Sequence, residues 1–321
     1  KFNFERSWIE ELFKLKLKTL MFFLFSVLLI LCIFYTEDDT RFVKKSDSFL
    51  KEYWAYDYLE IDLIREQNNL YGKDVKIGLI DTGVAKFIDV VDGINVRDQN
   101  EDYSDTHGHG THIAGILKDD SFGIVPDSDL YIVKALDSKM SGDIKDIILG
   151  IEWLIEKEID IILLPFGSTE YNSELEKVIN DANEKGIFVV SSVGNYGLQE
   201  EIDVLYPAKF KNVLGVGALG KDGEVWKGST LGEEVDILLP GQAIKSLSLS
   251  GDPLVSSGTS MASAYMAGIL ALYIEKTSKS SDYNIQDRIL IFRDELNKYY
   301  KKGRYNLFNP AIILDEWLIT K

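Results

Sequence analysis

Five short apolar runs constrain this chain more than anything else in it. They are Val75–Ile80 (VKIGLI), Leu130–Leu136 (LYIVKAL), Ile159–Leu164 (IDIILL), Ile187–Val193 (IFVVSSV) and Val213–Ala218 (VLGVGA). Each is rich in β-branched residues and apolar on neighbouring positions, as expected of strands buried on both faces. Between them lie stretches of helical period. In Asp143–Lys157 the residues Ile144, Ile147, Ile148, Ile151 and Leu154 recur at steps of three and four. Asn172–Lys185 is a second such stretch, closed by Gly186. Strands alternating with helices predict an α/β fold, doubly wound, with a mostly parallel central sheet in the middle of three layers. With 321 residues the chain can hold one large domain of this kind. Its core needs no disulfide, and its single cysteine, Cys32, cannot form one internally.

The charge and the N-terminus limit the partners. A net charge of −17 argues against nucleic acid and against anionic lipid held by a basic surface. Leu20–Tyr35 (LMFFLFSVLLILCIFY) carries no charge and is apolar all round. As a helix it would reach about 24 Å, against about 30 Å for a hydrocarbon core, a gap that snorkelling flanks can close. Arg6, Lys14, Lys16 and Lys18 precede it, and Glu37, Asp38 and Asp39 follow. This predicts a cytoplasmic segment 1–19, a membrane anchor or uncleaved signal 20–35, an exposed tether 36–50 and an extracytoplasmic domain 51–321. Secretion is the alternative, although Ile30–Tyr35 offers no small residues for a cleavage site. A monomer is expected.

In such a fold, chemistry gathers at the C-terminal ends of strands and in the turns after them. Asp81-Thr82-Gly83 follows the first run directly. A carboxylate there is held by the sheet, though an Asp-Thr-Gly sequence also makes an ordinary turn. All three histidines fall in His107-Gly108-His109-Gly110-Thr111-His112. Small neighbours leave the His109 ring open, so it suits a general base, while the His-X-His spacing suits a metal and the stretch also reads as a surface loop. Gly258-Thr259-Ser260-Met261-Ala262 opens an apolar helical run to Ile274. Ser260 at that N-terminus is either a cap or a nucleophile favoured by the positive end of the helix. Val193-Gly194-Asn195 ends a fourth strand, and the Asn195 amide can donate to an oxyanion. Taken together they supply a carboxylate, a base and a weak nucleophile in the order Asp, His, Ser.

From Trp54 to Pro310 the chain resembles the subtilisin-like serine proteases. DTG at Asp81, HGTHIAG at His109, VGN at Asn195, YPA at Tyr206, GTSMAS at Ser260 and the helix GIEWLIEKEIDII carry the resemblance. It implies a serine endopeptidase with Asp81 as orienting acid, His109 as general base, Ser260 as nucleophile and Asn195 in the oxyanion hole. It further implies that an extended peptide or protein substrate lies against Ser141, Gly142 and Asp143, with Phe166 and Gly167 opposite and Val193 and Gly194 beside the P1 pocket. No metal takes part in catalysis and no cofactor is required. Calcium is possible, but the loop Leu117–Pro126, which holds a tight calcium in typical relatives, is short here. Pro165-Phe166-Gly167 stands where Ser-Leu-Gly is usual, and Ala264 replaces a proline. Leu198–Leu205 would line the P1 pocket, where Glu200, Glu201 and Asp203 either attract Arg or Lys or face solvent. A membrane tether and a reshaped cleft suit a maturation role, similar to leader peptidases of lanthipeptides. The competing expectation is a catalytically weak binding protein on the same fold.

Overall fold

The computed structural model describes residues 52–197, 202–278 and 292. Seven strands form one sheet: β1 (Lys76–Asp81), β2 (Asp92–Asn95), β3 (Asp129–Lys134), β4 (Ile161–Leu164), β5 (Phe188–Ser192), β6 (Leu214–Leu219) and β7 (Ile237–Pro240). Their spatial order is β2-β3-β1-β4-β5-β6-β7, and every pairing is parallel. The helices are α1 (Trp54–Tyr58), α2 (Ile61–Asn68), α3 (His109–Lys118), α4 (Ile144–Glu156), α5 (Ser173–Glu184) and α6 (Thr259–Ser278). An antiparallel hairpin, β8 (Ile244–Leu247) with β9 (Pro253–Ser256), packs on α3.

Side-chain alternation along the strands divides the core in two. Ile77, Leu79, Ile161 and Leu163 point into one cluster with Ile113 and Ile116 of α3 and Met266, Ile269 and Leu270 of α6. Ile80, Ile162 and Leu164 point the other way, onto Ile151 and Leu154 of α4 and Val178 and Ile179 of α5. Residues opposite one another in the register share a face: Ile77 pairs with Ile161 and Leu79 with Leu163. A sheet apolar on both sides must be covered on both sides. Two helix ends are set by their caps. The Asp143 carboxylate accepts from the Lys145 N–H, and the Asn172 amide oxygen accepts from the N–H groups of Glu174 and Leu175.

The expected strands and helices are present, with ends shifted by a residue or two. β1 includes Asp81 itself, which pairs with Lys134 of β3. The predicted anchor Leu20–Tyr35 and the tether lie outside the described residues. Among the described residues no helix is long and apolar enough to cross a membrane.

Candidate active site

The sheet places Asp81 at the C-terminal end of its third strand in spatial order, beside the point where the chain order reverses. Its carboxylate is fully buried and accepts the Thr82 N–H at 2.6 Å. The turn after it is packed against the start of α3. Gly83 has φ +100°, and a Cβ there would lie 2.2 Å from the Tyr103 carbonyl oxygen. A Cβ on Gly110 would lie 2.0 Å from the Gly83 carbonyl oxygen and 3.1 Å from the Asp81 Cβ. Gly110 is therefore required by contact between the two motifs, and Gly83 by its positive φ and the return of the 103–105 loop. That contact delivers His109, the first residue of α3, to Asp81.

His109 Nδ1 lies 2.9 and 2.8 Å from the two Asp81 carboxylate oxygens. The Nδ1–H donates to Asp81, which leaves Nε2 as the nitrogen able to take a proton. Burial pushes the His109 pKa down, but the Asp81 charge and hydrogen bond, with the Asp105 charge, outweigh it and raise the net value. The other two histidines separate from it. His107 is exposed, its ring 6.4 Å from that of His109. His112 is buried, donates from Nε2 to the Leu254 carbonyl at 3.2 Å and has no partner at Nδ1. Burial lowers its pKa to about 4. Among the described residues no group of three or more His, Cys, Asp or Glu could hold a metal ion.

Ser260 is the second residue of α6 and almost buried. Its hydroxyl donates to the Pro165 carbonyl at 2.7 Å. A hydroxyl has one proton, so in this conformation it is not given to His109. Thr259 holds Asn195 by its amide oxygen, which accepts from the Thr259 N–H at 2.8 Å and the Thr259 hydroxyl at 3.0 Å. The carbonyl end of the amide is thereby fixed, and Nδ2 is left as the donating end.

The sequence pattern of the Subtilase family matches residues 72–293. The chain belongs to the Subtilase family. It is 36% identical over 228 residues to the thermostable alkaline protease of Halalkalibacterium halodurans, covering 68% of this chain and 62% of that protein. It is 33% identical over 260 residues to the minor extracellular protease Epr of Bacillus subtilis, covering 79% of this chain and 38% of the relative. Over 247 residues it is 33% identical to subtilisin DY of Bacillus licheniformis, covering 74% of this chain and 90% of that one. The chain thus spans under two thirds of the first two relatives. Among solved structures, a cold adapted subtilisin-like serine proteinase superposes with TM-score 0.66 at 26% identity, over 74% of this chain and 86% of that one.

The remaining residues expected to bind substrate lie in the loops that follow β3, β4 and β5. Ser141, Gly142 and Asp143 are exposed between β3 and α4. The Ser141 carbonyl accepts from the Asp137 N–H and from Arg97, which fixes the segment. Phe166 is half-buried against the α4–α5 side of the core, and Gly167 is exposed. Val193 and Gly194 are buried, and the Val193 carbonyl accepts from the Leu205 N–H. Of the residues expected near P1, Asp203 forms a surface ion pair with Lys209. Glu200 and Glu201 lie outside the described residues. Pro165 lacks an N–H for substrate, but its carbonyl gains a role as acceptor for Ser260.

Subtilisins need no cofactor, and calcium is an extra in some members. The segment Leu117–Pro126 does not fit such an ion well. The Gly123 carbonyl accepts from Arg65, and those of Pro126 and Ser128 accept from Lys118. Two internal cations thus already bond carbonyls within and just after this segment, which disfavours a further cation beside them.

Two residues here were not singled out by the sequence. Thr259 sits inside a recognised motif but carries no chemistry of its own. Asp105 lies in a loop and reads as a turn former, and only the return of that loop to Thr82 gives it a place.

Proposed function

We propose that this chain is an active serine endopeptidase cutting peptides or proteins bound as an extended strand. The observation that carries the reading is the buried Asp81–His109 pair, 2.8 Å apart, on the same end of the sheet as Ser260 and Asn195. Substrate lies along Ser141–Asp143 with Phe166 and Gly167 as the facing wall. The Ser260 hydroxyl leaves the Pro165 carbonyl and passes its proton to His109 Nε2 as Oγ attacks the scissile carbonyl. Asn195 Nδ2 and the Ser260 N–H donate to the oxyanion. The tetrahedral adduct collapses to an acyl-enzyme, and His109 gives its proton to the departing amine. Water then repeats the sequence in reverse and frees the enzyme. Asp81 holds the ring in the tautomer the cycle needs. The apolar run Leu20–Tyr35 anchors the protein in the membrane with the catalytic domain on the outer face.

A second reading is a catalytically weak binding protein on this fold, and one observation favours it: the Ser260 proton is committed to Pro165 rather than to His109. Labelling of the full-length chain in detergent with a fluorophosphonate separates the two. Stoichiometric labelling supports the endopeptidase. A folded chain that does not label supports the binding protein.

A further inference from the structure

We propose that Asp105 is a positioning residue for His109, fixing the turn that delivers the imidazole to Asp81 and adding a second negative charge beside it. The inference rests on the reading of His109 as general base.

The geometry is unusually complete for a loop carboxylate. Val84 and Ser104 form a parallel bridge, with the Val84 N–H donating to the Tyr103 carbonyl and the Asp105 N–H to the Val84 carbonyl. This brings Asp105 back beside the Asp81 turn. Asp105 Oδ1 accepts from the Thr82 hydroxyl at 2.9 Å, the His107 N–H at 2.8 Å and the Gly108 N–H at 2.9 Å. Oδ2 accepts from the Thr111 N–H at 3.0 Å and the Thr111 hydroxyl at 2.6 Å. The Thr82 hydroxyl in turn accepts the Gly110 N–H at 3.1 Å. Donors from residues 82, 107, 108 and 111 therefore converge on one carboxylate, and His109 is enclosed between the last three. Since Gly108 has φ +104° and no side-chain cap, Asp105 takes the Gly108 and Thr111 N–H groups at the start of α3, while the Thr82 hydroxyl takes that of Gly110 and His107 Nδ1 that of His109.

The charges around His109 can be named. Asp81 faces it from β1, Asp105 from the preceding loop, and His107 and His112 flank it in its own segment. Burial keeps His112 neutral near pH 7. Burial opposes ionisation of Asp105, but its hydrogen bonds outweigh that and hold its pKa below the usual carboxylate range. Asp105 thus ionises more readily than a free carboxylate, and its charge favours the imidazolium.

The test is Asp105→Asn in the full-length chain, with active sites titrated so that rates are per folded site. The expected result is a kcat about 10- to 100-fold lower, as for a base displaced by a fraction of an ångström, with KM changed by less than about twofold. The acid limb of fluorophosphonate labelling moves to lower pH, because a negative charge near His109 is gone. Thr82→Val separates the two roles, since it removes one link to Asp105 and Gly110 but leaves the charge. It should lower kcat about 3- to 10-fold and leave the acid limb in place. The second variant also decides the matter if Asp105→Asn does not fold. Wild-type kcat per site in Thr82→Val, or an unmoved acid limb in folded Asp105→Asn, overturns the proposal. Absence of labelling in the wild type would instead overturn the protease reading beneath it.

Discussion

Thr259→Val removes one hydroxyl from a buried residue that holds Asn195, and its effect on turnover can be worked out from two hydrogen bonds. Asn195 Oδ1 accepts two bonds from Thr259, at 2.8 Å from N–H and 3.0 Å from the hydroxyl. The same hydroxyl accepts the Gly194 N–H at 3.3 Å. Valine keeps the shape of threonine and the backbone bond, but loses one bond to Asn195 and leaves the Gly194 donor without its acceptor. A neutral bond of this kind contributes about 1 kcal/mol, so the loosened amide should cost about 1–2 kcal/mol in the transition state, or roughly 5- to 30-fold in kcat. The upper limit is the whole contribution of the oxyanion donor, about 3–4 kcal/mol, a figure that comes from the oxyanion asparagine of subtilisin itself. Because the oxyanion exists only after attack, KM should stay close to its wild-type value. The assay is steady-state hydrolysis of a chromogenic peptide amide by titrated full-length enzyme. Thr259→Ser should restore the rate. The decisive form is a double-mutant cycle. If Thr259 acts through Asn195, Thr259→Val should cost almost nothing further when combined with Asn195→Leu. An equal fold-loss in both backgrounds would refute the reasoning.

Three further outcomes follow from the same geometry. The net rise of the His109 pKa, caused by Asp81 and Asp105 against burial, puts the acid limb of kcat/KM above the ordinary histidine value of about 6.5, and a pH–rate profile with its limb at or below that value would contradict it. His112 has the opposite sign: the unfolded chain takes a proton near pH 6.5 while the fold withholds it until about pH 4, so stability present above pH 6.5 is lost as pH falls, by roughly 3 kcal/mol. Urea unfolding of His112→Gln, followed by tryptophan fluorescence, should show a shallower pH dependence across that window, and parallel curves would refute the assignment. Gly110→Ala drives a methyl to within 2.0 Å of the Gly83 carbonyl oxygen, and should lower activity at least 100-fold by parting His109 from Asp81, checked by turnover per folded molecule.

What the sequence made legible follows from how local each signal is. Strands apolar on both faces can be read one at a time, so β1, β3, β4, β5 and β6 were visible. The edge strand β2, Asp92–Asn95 (DGIN), has only one large apolar residue and no run to detect. The strand β7, Ile237–Pro240, is as short as β4 but ends in a proline, which argues against a strand at that position. Asp81, His109, Asn195 and Ser260 sit at element ends next to glycines, which is a readable signature. The parts that support them are held by contacts distant in sequence. Asp105 reaches Thr82 across 23 residues, Thr259 reaches Asn195 across 64, and the Pro165 carbonyl meets Ser260 across 95. No periodicity records such pairs. The pairing of Asp203 with Lys209 is likewise defined only by the folded loop.

The central claim is that Ser260 is a nucleophile activated by His109 and Asp81. Intact-mass analysis of the full-length chain after fluorophosphonate treatment tests it most directly, alongside Ser260→Ala. The account predicts one adduct on the wild type, none on Ser260→Ala, and a turnover loss of about a million-fold in that variant, a magnitude taken from subtilisin. An adduct that persists on Ser260→Ala, or a well-folded wild type that takes up none, would contradict it.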